Sequence, residues 1–136
     1  MLYLVSAFQG IIRAVQRDIY SFYGTLCRYI VDDKGTGILV AFGLPPFEQS
    51  ENQPLRGVKC ALTIHSTMET MSIGCSIGVT TGRVFVGMVG GNTRCEYTLH
   101  GSLVNLAARL MAAAKDGVLI SDRTFEKSRA VRMIDF

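Results

Sequence analysis

Two tight-turn signatures punctuate this chain, DKGTG at residues 33–37 and TTG at residues 80–82, and each lies between β-prone runs. Glycine beside small polar residues supplies the backbone freedom that a short reversal needs. Each signature therefore predicts a hairpin. The first joins TLCRYIVDD (25–33) to ILVAFG (38–43), and the second divides SIGCSIGVTTGRVFVGMVGG (72–91) into two strands. Segments of helical period stand before and after each hairpin. Helices alternating with hairpins imply one largely antiparallel sheet covered by helices on one side, an α+β sandwich.

The helices follow from apolar spacing. Residues 2–20 carry Leu4, Phe8, Ile11, Ile12, Val15 and Ile19 at helical intervals, with Arg13, Arg17 and Asp18 interspersed. That helix is expected to end near Gly24. LPPFEQSENQP (44–54) reads as a loop, and Pro54 is acceptable in the first turn of a helix over about 55–70. Val58, Ala61, Leu62 and Ile64 would form its buried side. A helix is predicted over 102–114, a short strand at VLIS (118–121), a capped helical turn at SDRTFEK (121–127) and a last strand at VRMIDF (131–136). The expected order is α-ββ-α-ββ-α-β.

With 136 residues, 49% of them hydrophobic, the chain is long and apolar enough for one packed domain spanning 1–136. No run approaches the roughly 18 apolar residues of a membrane span. The opening MLYLVSAFQGIIRAV lacks the basic flank and small-residue cleavage site of a secretory signal, and reads as an amphipathic helix. The four cysteines show no CxxC spacing and only two histidines accompany them, so a metal cluster is not expected. Together these features predict reduced thiols and a cytoplasmic protein. The net charge of +3 is scattered without a basic-aromatic stripe, and no nucleic-acid partner is indicated.

Within EYTLHGSLVNLAARL (96–110) a β-prone stretch passes through a glycine into a helix of small and apolar residues. Only Asn105 and Arg109 break that composition, and four-residue spacing puts both on one helical face. The rest of the helix has the character of one buried against another surface. A guanidinium there requires an anionic partner, because an unpaired buried charge is costly. No acid occupies the positions three or four residues away. A phosphate would serve, since arginine presents a planar fork of donors, and an asparagine beside it can hold a ribose oxygen.

GRVFVGMVGGNTRCEYTLHGSLVNLAARL (82–110) resembles the second half of the catalytic core of class III nucleotidyl cyclases, and DKGTGILVAFG (33–43) resembles that family's central hairpin. The resemblance runs over about residues 20–128. EYTLHG before the last helix is most similar to the second catalytic half of bicarbonate-responsive soluble adenylyl cyclases. It implies a ferredoxin-like antiparallel sheet covered by helices, with the family's first strand missing, as in a fragment of a longer chain. It further implies attack of a ribose 3′-oxygen on the α-phosphate with release of pyrophosphate. Asn105 would orient the ribose and Arg109 would stabilise charge at phosphorus. Thr98 matches the base-recognition position and fits ATP better than GTP.

Two departures qualify the match. The family's first metal aspartate precedes the first helix, and its position is absent. The second follows the hairpin glycine, where this chain has Thr36 after Gly35. A neutral hydroxyl cannot replace a carboxylate on Mg²⁺, while Asp32 and Asp33 read as turn residues. The resemblance thus implies a half that lends asparagine and arginine. Two Mg²⁺ or Mn²⁺ ions would be held by a partner half in the same polypeptide, and the chain alone would be inactive. The alternative is a non-catalytic cyclase-like module for dimerisation or regulation.

Overall fold

A computed structural model describes the backbone of residues 2–32, 35–45, 52–91 and 94–134, and the side chains of 9–29, 35–45, 52–87 and 98–128. The order is α1 (Leu2–Ser21), β1 (Thr25–Asp32), β2 (Gly35–Ala41), α2 (Gln53–Thr70), β3 (Ile77–Val79), β4 (Phe85–Gly91), β5 (Arg94–His100), α3 (Ser102–Ala114), β6 (Val118–Ile120) and α4 (Asp122–Ile134). The first hairpin forms as expected. β1 and β2 pair antiparallel from Thr25 opposite Ala41 to Asp32 opposite Gly35, with an irregularity between Leu26 and Arg28. Asp33 and Lys34 lie outside the described residues.

The second hairpin is a different one from that expected. TTG does not fold β3 back on β4. β3 pairs parallel with β6, Ile77 beside Val118 and Val79 beside Ile120, while β4 pairs antiparallel with β5, Phe85 opposite His100 and Gly91 opposite Arg94. Hydroxyls hold the TTG segment elsewhere: Thr80 Oγ1 donates to Leu103 O at 3.1 Å, and Thr81 Oγ1 bonds Thr124 Oγ1 at 2.7 Å. The chain therefore leaves β3 toward α3 and α4 without reversing. Its strands remain mostly antiparallel, and β1 lies beside β5.

VRMIDF does not supply a last strand. Residues 131–134 complete α4, and 135–136 lie outside the described residues. The reason is at the other end of the helix. Ser121 caps it, its Oγ accepting from Thr124 N at 3.3 Å, and Asp122 stands in the first turn. Thr124 is fully buried among the hydroxyls of Thr81 and Ser121. Once this costly nucleus exists, adding further residues to the helix is cheap.

The core sits between α1 and α2. Val15 and Ile19 meet Cys60 and Met68, with Ile38, Val40 and Phe42 packed against them from the β2 side. Burying a side chain such as Ile19 contributes roughly 1.5–3 kcal/mol. On α2 the buried residues are Gly57, Cys60, Ala61 and Met68, whereas Leu62, expected inside, is 56% exposed. Asp18, one of the charged residues interspersed along α1, is buried as well. Its Oδ2 accepts from Thr67 Oγ1 at 2.8 Å, so a polar clamp joins α1 to α2 beside the core.

Cys60 lies against this clamp, its thiol directed at Asp18 O at 3.8 Å. Burial, reinforced by the Asp18 carboxylate, pushes the thiol up from its ordinary 9.0 to about 12. In the unfolded chain the thiol ionises at its ordinary pH, but in the folded chain it does not. Its contribution to stability is thus complete below pH 9.0 and is lost as pH rises toward about 12. Urea titrations across that window should show a steeper alkaline loss of stability for the natural chain than for Cys60→Ala. Identical pH profiles would contradict the assignment.

Candidate active site

β5 and α3 present the three residues expected to carry chemistry. Gly101, at φ 144°, joins them in a conformation that L side chains rarely adopt, and lets the strand turn directly into the helix. Thr98 lies near the end of β5, half-buried, and its Oγ1 donates to Gly87 O at 3.3 Å. Asn105 and Arg109 are both exposed on α3, one turn apart and on the same face as Ser102, Ala108 and Ala112. Four residues of helix separate the two functional groups by about 6 Å along the axis.

The exposure corrects one expectation. No residue of α3 is fully buried. Leu103, Val104, Leu106, Ala107 and Leu110 are half-covered on the inner side, and the face bearing Asn105 and Arg109 is open. Among the described residues no carboxylate pairs with Arg109. The cation is thus available to an incoming anion. Phe85 is 80% exposed at the start of β4 and has Val86, 45% exposed, beside it.

Three contacts set the orientation of α3. At its first turn, the Thr80 hydroxyl donates to Leu103 O. Midway, Gly78 of β3 meets the helix backbone so closely that an added Cβ would lie 2.7 Å from Met111 N and against Ala107 O. Past its last turn, Lys115 and Asp116 both take left-handed conformations, with φ of 47° and 64°. Asp116 there accepts from Cys75 N through Oδ1 at 2.8 Å and donates its own N–H to Ser76 Oγ at 2.8 Å. The His65 ring on α2 approaches Asp116 O at 3.0 Å. Sequence reasoning missed these supports. The one signal that could have found any of them is a glycine inside the strand IGV, which marks close approach of another backbone.

The position where the resemblance implies a metal carboxylate is different in kind. Thr36 is exposed on β2 opposite Val31 and offers only a hydroxyl. Among the described residues no group of three His, Cys, Asp or Glu side chains could hold an ion. Asp33 and the side chain of Asp32 lie outside the described residues. An open cleft of about 460 Å³ lies elsewhere, between the starts of α3 and α4, lined by residues including Arg83, Ser102, Leu106 and Arg123. Thr98, Asn105 and Arg109 are not part of its lining. No described helix is long and apolar enough to cross a membrane.

Known proteins resemble the chain in sequence and in fold. The family model for the adenylate and guanylate cyclase catalytic domain matches residues 5–133. Adenylate cyclase type 10 of Homo sapiens is 38% identical over 96 residues, which cover 66% of this chain and 6% of that protein. The chain therefore spans only a small part of this curated relative. Among solved structures, the adenylyl cyclase CyaB from P. aeruginosa superposes with a TM-score of 0.78 at 24% identity, over 96% of this chain and 71% of its own. The non-canonical dimeric guanylyl cyclase domain of the RhoGC fusion protein from the aquatic fungus Blastocladiella emersonii gives a TM-score of 0.74 at 16% identity. That match covers 93% of this chain and 70% of the fungal domain.

Proposed function

The chain belongs to the family of adenylate and guanylate cyclase catalytic domains, and from that premise we propose that it is one half of an adenylyl cyclase. With a second, metal-binding half it would convert ATP to 3′,5′-cyclic AMP and pyrophosphate. The observation that carries this reading is Arg109: an exposed guanidinium on a helix face of small residues, with no carboxylate partner among the described residues. Its fork of donors matches the non-bridging oxygens of a phosphate.

In the reaction the ribose 3′-oxygen forms a bond to the α-phosphorus as the bond to the pyrophosphate oxygen breaks. Negative charge grows on the oxygens around phosphorus, and Arg109 is the residue of this chain that meets it. A donor held in place before the reaction stabilises such charge without reorganisation. Asn105, one turn earlier, orients the ribose, and Thr98 on the adjoining strand contacts the adenine.

The described donors of this chain do not fit a pair of Mg²⁺ or Mn²⁺ ions: no group of three His, Cys, Asp or Glu side chains occurs among them, and Thr36 stands where the resemblance implies a carboxylate. The ions therefore belong to the partner half. Two such chains paired with each other would have two Asn-Arg sites and no carboxylate at either Thr36 position. The open face of α3 and the exposed Phe85 and Val86 give a second half a surface to meet.

The test mixes this chain with a metal-binding cyclase half, ATP and Mg²⁺ or Mn²⁺, with each half alone as control. Cyclic AMP should form only in the mixture. Product from this chain alone would overturn the half-site reading. Demonstrated pairing without product would instead make the chain a non-catalytic pairing module.

A further inference from the structure

We propose that Gly87, on β4, is a positioning residue for base selection, because it commits the Thr98 hydroxyl to act as an acceptor. The inference rests on the reading of Thr98 as the adenine contact. Gly87 and Thr98 are directly opposite in the β4–β5 ladder. Thr98 Oγ1 lies 3.3 Å from Gly87 O. A threonine hydroxyl has one hydrogen and two lone pairs, while a carbonyl oxygen can only accept. The hydrogen therefore points at Gly87, and what remains for a ligand is lone pairs.

That polarity distinguishes purines. The 6-amino group of adenine donates, and finds an acceptor. The 6-oxo group of guanine or hypoxanthine accepts, and faces lone pair against lone pair. A freely rotating hydroxyl would serve both bases, since it could turn its hydrogen toward the oxo group.

The absent side chain at residue 87 makes the commitment possible. A Cβ there would stand 2.8 Å from Thr98 Oγ1, closer than real Cβ contacts come, and among the described atoms that hydroxyl is the one neighbour it would meet. Any larger residue would drive the hydroxyl off the carbonyl, and threonine has few alternative χ1 positions. Glycine inside a strand costs stability and commonly marks a close approach. Gly87 is not among the described glycines with positive φ, so backbone conformation does not explain it. The contact with Thr98 does.

The test measures kcat/KM for ATP and for ITP with the chain assembled with a metal-binding cyclase half. ITP carries the 6-oxo group and a ring N–H where ATP has the amine and a bare ring nitrogen. The natural chain should prefer ATP. Gly87→Ala should narrow the preference by about tenfold, the scale of one hydrogen bond, through KM for ATP more than through kcat. Thr98→Val should narrow it similarly, and the double variant should show no further loss, because both changes remove one interaction.

An unchanged preference in Gly87→Ala, or losses that add in the double variant, overturns the proposal. If Thr98→Val keeps the full preference, the adenine reading of Thr98 fails and the proposal with it. If Thr98→Val loses the preference while Gly87→Ala keeps it, only the proposal fails. Thermal denaturation of each variant checks folding. Should Gly87→Ala not assemble, Thr98→Ser decides the matter: it retains the donated hydrogen bond, so its preference should stay near that of the natural chain. A Thr98→Ser variant as indiscriminate as Thr98→Val would overturn the proposal too.

Discussion

Arg109→Ala, in the chain assembled with a metal-binding cyclase half, should lower kcat by about 10²–10³, the usual consequence of losing one preorganised donor to a charged transition state. KM for ATP should change far less, because the charge that Arg109 meets develops as the bonds change. Arg109→Lys should recover little of the loss, since a point charge on a flexible stem does not reproduce the planar fork. The side chain is exposed and has no ion pair among the described residues, so the variant should fold and pair normally. Thermal denaturation beside the kinetics separates the two effects. A variant with full kcat would remove Arg109 from the reaction.

Gly78→Ala should have the largest effect of a methyl added at any glycine whose surroundings are described. The new Cβ would meet backbone, Met111 N at 2.7 Å and Ala107 O closer still, with Leu110 Cβ at 2.9 Å. Backbone cannot swing aside as a flexible side chain can, so α3 must move off β3. Overpacking of this kind costs about 1–3 kcal/mol, occasionally more. The same displacement would move Asn105 and Arg109 from the positions that the proposed function requires of them, and a shift of about 1 Å in catalytic geometry can cost roughly 10²-fold in rate. Gly10→Ala on α1 is the control, because nothing described lies within 4 Å of the added atom. That change should stabilise the helix by about 0.5–1 kcal/mol. Urea midpoints and kcat for the two variants check the contrast. A Gly78→Ala chain as stable and active as the natural one would mean that α3 does not rest on β3 as described.

The helices and the first hairpin were legible because their signals are local. α3 spans the expected residues 102–114 since Gly101 marks its start and the small apolar run its length. The strand partners were not legible. TTG looks like a hairpin turn to any reading that sees only neighbouring residues, yet β3 finds its partner in β6, beyond β4, β5 and α3. Period-two alternation does not say which strand lies alongside. The fate of VRMIDF was hidden for a related reason: a capped first turn upstream, fixed by the buried Thr124, decides its conformation. The sequence gives no partner for Asp18, because Thr67 is brought to it from α2 only by folding.

Asn105, Arg109 and Thr98 were singled out from chemistry, spacing and family resemblance, all of which are linear properties. The same holds for Thr36 at the hairpin, where residue type alone gives a hydroxyl at the position for which the resemblance implies a carboxylate. Tertiary structure decided how accessible these groups are and what holds them. It leaves Asn105 and Arg109 open on α3, where a buried helix was expected, and sets that helix by Gly78, Thr80 and the Asp116 turn. It also places Gly87 opposite Thr98. Sequence by itself determined which chemical groups this protein carries, because side-chain identity and helical spacing are local. Their direction and polarity come from contacts between residues far apart in the chain, and only the folded backbone brings those together.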